Sequence, residues 1–102
     1  MDEPIACSLD ADGARSQLDE WHAVLRAAVV STEREGPTLV RMRLRADAEA
    51  VARILALAER EVACCPFFRF AIEIDANGLA LTVAVPPDAA EVLVAFAALV
   101  TA

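Results

Sequence analysis

The chain has 102 residues, 58% of them apolar, and its nine basic residues against sixteen acidic ones leave a formal net charge of −7. That length fits one domain, residues 1–102, with apolar material enough for a core that needs neither disulfide nor metal staples. Every base is an arginine, and so acidic a chain without a lysine argues against the many-phosphate contact face on which nucleic-acid affinity rests.

The opening MDEPIACSLD is acidic and has neither a basic n-region nor a long apolar h-region, so it does not read as a secretory signal. Within it, Ile5 to Leu9 reads as a short strand. Asp10 or Asp12 can then cap a helix expected to run to about Val30, because Leu18, Trp21, Leu25, Ala28 and Val29 recur at helical spacing while Arg15, Asp19, Glu20 and Arg26 lie off that stripe. STEREGP is expected to break this helix as a loop. TLVRMRLR alternates, placing Val40, Met42 and Leu44 on the face opposite Arg41, Arg43 and Arg45, as a half-buried strand requires.

Asp47 is positioned to cap a second helix whose expected core stripe is Val51, Ile54, Leu55, Ala58 and Val62. This helix must end near Cys65, since a residue before proline is pushed out of the helical region and Pro66 has no N–H to give. Phe68, Phe70, Ile72 and Ile74 then share one face of a strand. Asn77-Gly78 reads as a two-residue hairpin turn, which would set Ile74 opposite Leu81, Ile72 opposite Val83 and Phe70 opposite Val85. The other face carries Ala71, Glu73, Asp75, Ala80, Thr82 and Ala84. The chain closes on a helix expected to be capped by Asp88, with Glu91 three residues on as the other half of an acidic capping box. Its stripe is Val92, Leu93, Phe96, Leu99 and Val100, and Val94, Ala95 and Ala98 leave little that is polar on the rest. An all-round apolar helix argues for burial, here against a second copy in a homodimer, with an alanine-rich outer face that meets no partner as the competing reading.

The expected order is β-α-β-α-β-β-α, a small α+β domain of two layers with a largely antiparallel sheet and its helices on one face. The run from Val92 to Val100 is too short to span a bilayer, and the uncharged stretch from Ala76 to Pro87 is interrupted by Gly78 and closed by prolines. No membrane partner is expected, and a cytoplasmic setting is.

Chemistry is carried by the cysteines Cys7, Cys64 and Cys65. A disulfide between neighbours is strained, so Cys64 and Cys65 are better suited to share a third partner. In a reducing compartment an odd number of thiols points to a structural, metal-binding or redox role. Thiolates prefer soft ions such as mercury, copper(I), zinc or arsenite. Cys7 becomes a third donor if its strand lies beside the start of the Phe68 strand, and His22 can add a nitrogen. Trp21 and Phe67 would wall such a site against water. Arg60 and Arg69 flank the pair and could favour thiolates, against the negative end of the helix dipole.

Two other readings compete. One is a cysteine-dependent thiol or redox enzyme, although the chain lacks a C-x-x-C motif and a glycine-rich phosphate loop. The other is a dimeric interaction module with structural cysteines. Asp19, Glu20, Glu59 and Glu61 stand beside arginines on helices and read as solvated ion pairs. Binding ranks ahead of catalysis.

Ala6-Cys7-x-Leu9, Trp21 in the first helix and Cys64-Cys65-Pro66-Phe67 resemble a group of small bacterial proteins with an Ala-Cys-x-Leu start and a Glu-x-x-x-Cys-Cys-Pro-Phe segment. The likeness spans about residues 5–100. It departs at Arg60, which stands where the group has its glutamate, with Glu59 and Glu61 on either side. The resemblance implies that the three cysteines belong together and suggests mercury or related heavy-metal resistance as the setting.

Overall fold

The computed structural model describes residues 11–100, with side chains from residue 16 onward. The described residues form α1 (Ala11–Ala28), β1 (Val29–Gly36), β2 (Leu39–Leu44), α2 (Ala48–Cys64), β3 (Arg69–Asp75), β4 (Gly78–Ala84), a 3-10 turn (Pro87–Ala89) and α3 (Ala90–Ala98). The strand expected at Ile5–Leu9, Cys7 and the capping role of Asp10 or Asp12 lie outside the described residues and side chains. The class is α+β, as the patterning predicts. The strands make one antiparallel sheet in the order β1-β2-β4-β3.

One face of that sheet builds the core. Val40, Met42, Leu81 and Val83 are fully buried there, together with Trp21, Val24 and Leu25 of α1, Ile54 of α2 and Leu93 of α3. Arg45 ties the end of β2 to the end of α1, its N–H donating to the Ala28 carbonyl at 2.8 Å and its Nε to that of Ala27 at 3.0 Å. On the open face Arg41 bridges Glu35 and Glu73, and its hydrogen bond to Glu73 raises its pKa further above the ordinary arginine value.

Several expectations need correction. The first helix ends at Ala28, and STEREGP is mostly strand: β1 pairs antiparallel with β2, in unbroken register from Ser31 to Arg34, with Glu33 opposite Arg41. Its charges read as a loop because an edge strand solvated along its length has no apolar face to reveal it. The β3–β4 register is two residues from the expected one, with Ile74 opposite Leu79, Ile72 opposite Leu81 and Phe70 opposite Val83. The turn is Ala76-Asn77, with Asp75 Oδ1 accepting from the Asn77 N–H at 2.8 Å and Gly78 taking φ +114°. No described non-glycine residue has positive φ, which excludes the type I′ turn that Asn-Gly usually makes and leaves a type I arrangement followed by a glycine bulge. A slip of two preserves the faces, so the apolar sets still meet.

At the C-terminal end, Pro86-Pro87 imposes a 3-10 turn and the α-helix starts later, with Ala89 at the cap position and no side-chain cap bond. Asp88 sits inside the turn and does not cap α3. In α2 the buried line is Ile54, Leu57, Ala58 and Cys64, so Leu55 and Val62 turn outward, as Leu18 does on α1. Ile74 is 79% exposed because α2 leaves the β3 end of the sheet uncovered, whereas outward-facing Ala80, in register between Arg43 and Glu73, is buried. No described helix is long and apolar enough to cross a membrane.

Candidate metal centre

Asp47 starts α2 as expected, its carboxylate accepting from the N–H groups of Glu49 and Ala50. The helix ends where Pro66 demands. Cys64 is its last residue, and Cys65 leaves the helical region at φ −130°, ψ 78°, while its N–H still reaches the Glu61 carbonyl at 2.6 Å. On a continuing helix, adjacent side chains diverge by about 100°. The exit at Cys65 instead lets the two sulfurs converge to 3.5 Å, well beyond bonding distance but in contact.

The helix brings a third donor. Glu61, one turn before Cys64, places a carboxylate oxygen so that it and the two Sγ atoms all lie within 4.8 Å of one another. Across the helix pair, Trp21 Nε1 and Gln17 Nε2 each donate to Glu61 Oε1 at 2.8 Å, and Gln17 Nε2 also lies 3.7 Å from Cys64 Sγ. Gln17 and Trp21 are four residues apart on α1, hence on one face, and both aim at one carboxylate. With Oε1 accepting two hydrogen bonds, the carboxylate is oriented as a metal ligand is by its outer shell.

Burial keeps the arrangement out of bulk water. Cys64 and Cys65 are 7% and 3% exposed, and Trp21 is fully buried. Trp21 meets Phe96 edge to face at 5.0 Å and stacks on Phe70 at 5.5 Å, while Phe67 stacks on Phe68 at 4.8 Å. Trp21, held by these rings, fixes Glu61 through its Nε1 hydrogen bond. Phe67 is half-buried against the core.

The electrostatics favour a cation. The last turn of α2 contains no basic residue, so the negative helix end, a carboxylate and two thiols share one small volume. Arg60 points away, pairing with Glu20 at 2.6 Å, and Arg69 is exposed. Neither is placed by a described contact to stabilise a thiolate.

Of the residues expected from sequence, Cys64 and Cys65 converge, Cys7 lies outside the described residues, and His22, half-buried on α1, is not among the ligand atoms gathered within 4.8 Å. Glu61 and Gln17 were missed. The solvated ion pairing expected of Glu61 holds instead for Glu20. The available signal was spacing: Glu61 and Cys64 share a helix face at i, i+3. Among the described residues, the structure therefore has a buried Glu61/Cys64/Cys65 group able to hold a metal.

Comparison with protein-family models, with curated proteins and with solved structures finds no match.

Proposed function

We propose that this protein binds one thiophilic metal or metalloid ion per chain through the thiolates of Cys64 and Cys65 and the carboxylate of Glu61, with Cys7 as a further sulfur donor. The observation that carries this reading is the convergence of three donor atoms within 4.8 Å at the negative end of a helix. A site of this kind gathers groups that repel one another once ionised, and a cation relieves the repulsion.

Geometry narrows the ion. With metal–sulfur bonds of about 2.3 Å, sulfurs 3.5 Å apart subtend an angle of about 100° at the metal. That suits tetrahedral zinc or pyramidal trivalent arsenic. A linear dithiolate of mercury(II) or copper(I) with such bonds needs sulfurs about 4.6 Å apart, which adjacent residues at a fixed helix exit reach only by changing rotamers. Zinc and arsenite are accordingly favoured over the mercury suggested by the resemblance. The slight exposure of both sulfurs also favours a small ion over a bulky thiol substrate.

The test is native mass spectrometry of the reduced full chain titrated separately with Zn(II), arsenite, Hg(II) and Cu(I), alongside a C64S/C65S variant. One ion held per wild-type chain and none by the variant is the expected result. Equal retention by both, or none by either, overturns the reading.

A further inference from the structure

The two edges of the sheet are built differently. β1 carries Glu33, Arg34 and Glu35, and its pairing with β2 is interrupted by register shifts between Val29 and Ser31 and between Arg34 and Gly36. Charges and bulges of this kind blunt an edge against pairing with another strand. β3, the other edge among the described strands, pairs with β4 over all seven of its residues without a shift. It also presents Phe70, Ile72 and Ile74 on one face. Beside it runs an apolar groove of about 430 Å³ lined chiefly by Leu55, Ala58, Val62, Phe70 and Ile72. Leu55 is 50% and Ile74 79% exposed.

We infer that β3 is the contact edge of a homodimer, pairing antiparallel with the β3 of a second copy about a two-fold axis at Ile72. The charge pattern selects both occupant and register. Opposite residues of an antiparallel pair share a face, so a two-fold axis must pass through a residue pair, and centring it on Ile72 uses the whole strand. Ile72 then faces itself, Phe70 faces Ile74, and Arg69 faces Asp75 twice on the open side. Within the chain Glu73 is already engaged by Arg41, while Arg69 and Asp75 enter no ion pair among the described residues. The same register sets the partner's Ile74 beside Phe70 at the groove, covering the apolar surface that α2 leaves open. Both sheets become one continuous sheet of eight described strands, with helices on the same side. This inference does not use Glu61, Cys64 or Cys65, and a β3 edge taken over its whole length by a second copy leaves no place beside it for the strand expected at Ile5–Leu9.

The test is sedimentation equilibrium of the full chain over a concentration series. Wild type is expected as a dimer. Arg69→Asp sets two aspartates against Asp75, and Asp75→Arg sets two arginines against Arg69; each exchanges two attractive cross-strand pairs for repulsive ones and should weaken the dimer by about tenfold or more. The double variant R69D/D75R restores both pairs and should restore the dimer, which a merely unfolded single variant could not explain. Val94→Arg, on the exposed side of α3, should change nothing. A monomeric wild type overturns the inference and leaves the β3 edge to be covered from within the chain. A dimer broken by V94R but indifferent to the charge reversals overturns it in favour of α3.

Discussion

Glu61 separates structural from ligand roles because its two replacements act differently. Glu61→Ala removes the oxygen that accepts from Trp21 Nε1 and Gln17 Nε2. Trp21 is 0% exposed and Gln17 9%, so their orphaned N–H groups regain water only if it enters the vacated space. At about 1–3 kcal/mol for the Trp21 N–H left without a partner, and about 1 kcal/mol for Gln17 Nε2, which keeps Cys64 Sγ at 3.7 Å, the loss should be roughly 2–4 kcal/mol. Glu61→Gln keeps an oxygen in the same place and both hydrogen bonds. It also removes a negative charge from the last turns of α2, where the helix dipole disfavours one by about 0.3–1 kcal/mol. Its stability should therefore lie within about 1 kcal/mol of wild type. Urea denaturation of metal-free protein reads the difference: the midpoint should fall by about 1–2 M for the alanine variant at unchanged slope and barely move for the glutamine variant. Equal destabilisation by the two, or none by either, refutes the hydrogen-bond account. Ion affinity should fall for both, since an amide is the poorer ligand.

Leu93→Ala should cost about 2–5 kcal/mol in denaturant melts, because Leu93 is fully buried and fastens α3 to the sheet, while Val94→Ala on the exposed side should stay within about 0.5 kcal/mol. Asp47→Ala should lose about 1 kcal/mol by removing the carboxylate that accepts from Glu49 and Ala50. Gly78→Ala meets no atom within 4 Å, so any loss in thermal stability is conformational, about 1–2 kcal/mol for a side chain at φ +114°. Ion binding should weaken as pH falls, since coordination displaces thiol protons, and a proton-release assay during titration should record it.

The fold class was legible because β2, α2 and the β3–β4 hairpin each carry a clean period and a recognisable boundary. Asp47 and Pro66 bracket α2 by local chemistry alone. β1 was not legible: its identity lies in pairing with β2, and an edge strand wet along its length shows no alternation. The expected hairpin register is two residues off because a two-residue Asn77-Gly78 turn of the usual type requires positive φ at both residues, whereas only the glycine adopts it. At the site, the cysteine pair was conspicuous, but Glu61 looked like any helical carboxylate beside an arginine. What distinguishes it is the helix pairing that brings Gln17 and Trp21 over it while Arg60 turns to Glu20. Such contacts, forty or more residues apart along the chain, have no local signature.

The most direct measurement of the central claim is X-ray absorption at the metal edge of the full-length protein loaded with zinc, repeated on the Glu61→Gln variant. The account predicts at least two sulfur neighbours at about 2.3 Å together with oxygen or nitrogen neighbours at about 2.0–2.2 Å, and a changed light-atom shell in the variant. A shell of oxygen and nitrogen alone, or one that Glu61→Gln leaves untouched, would contradict it.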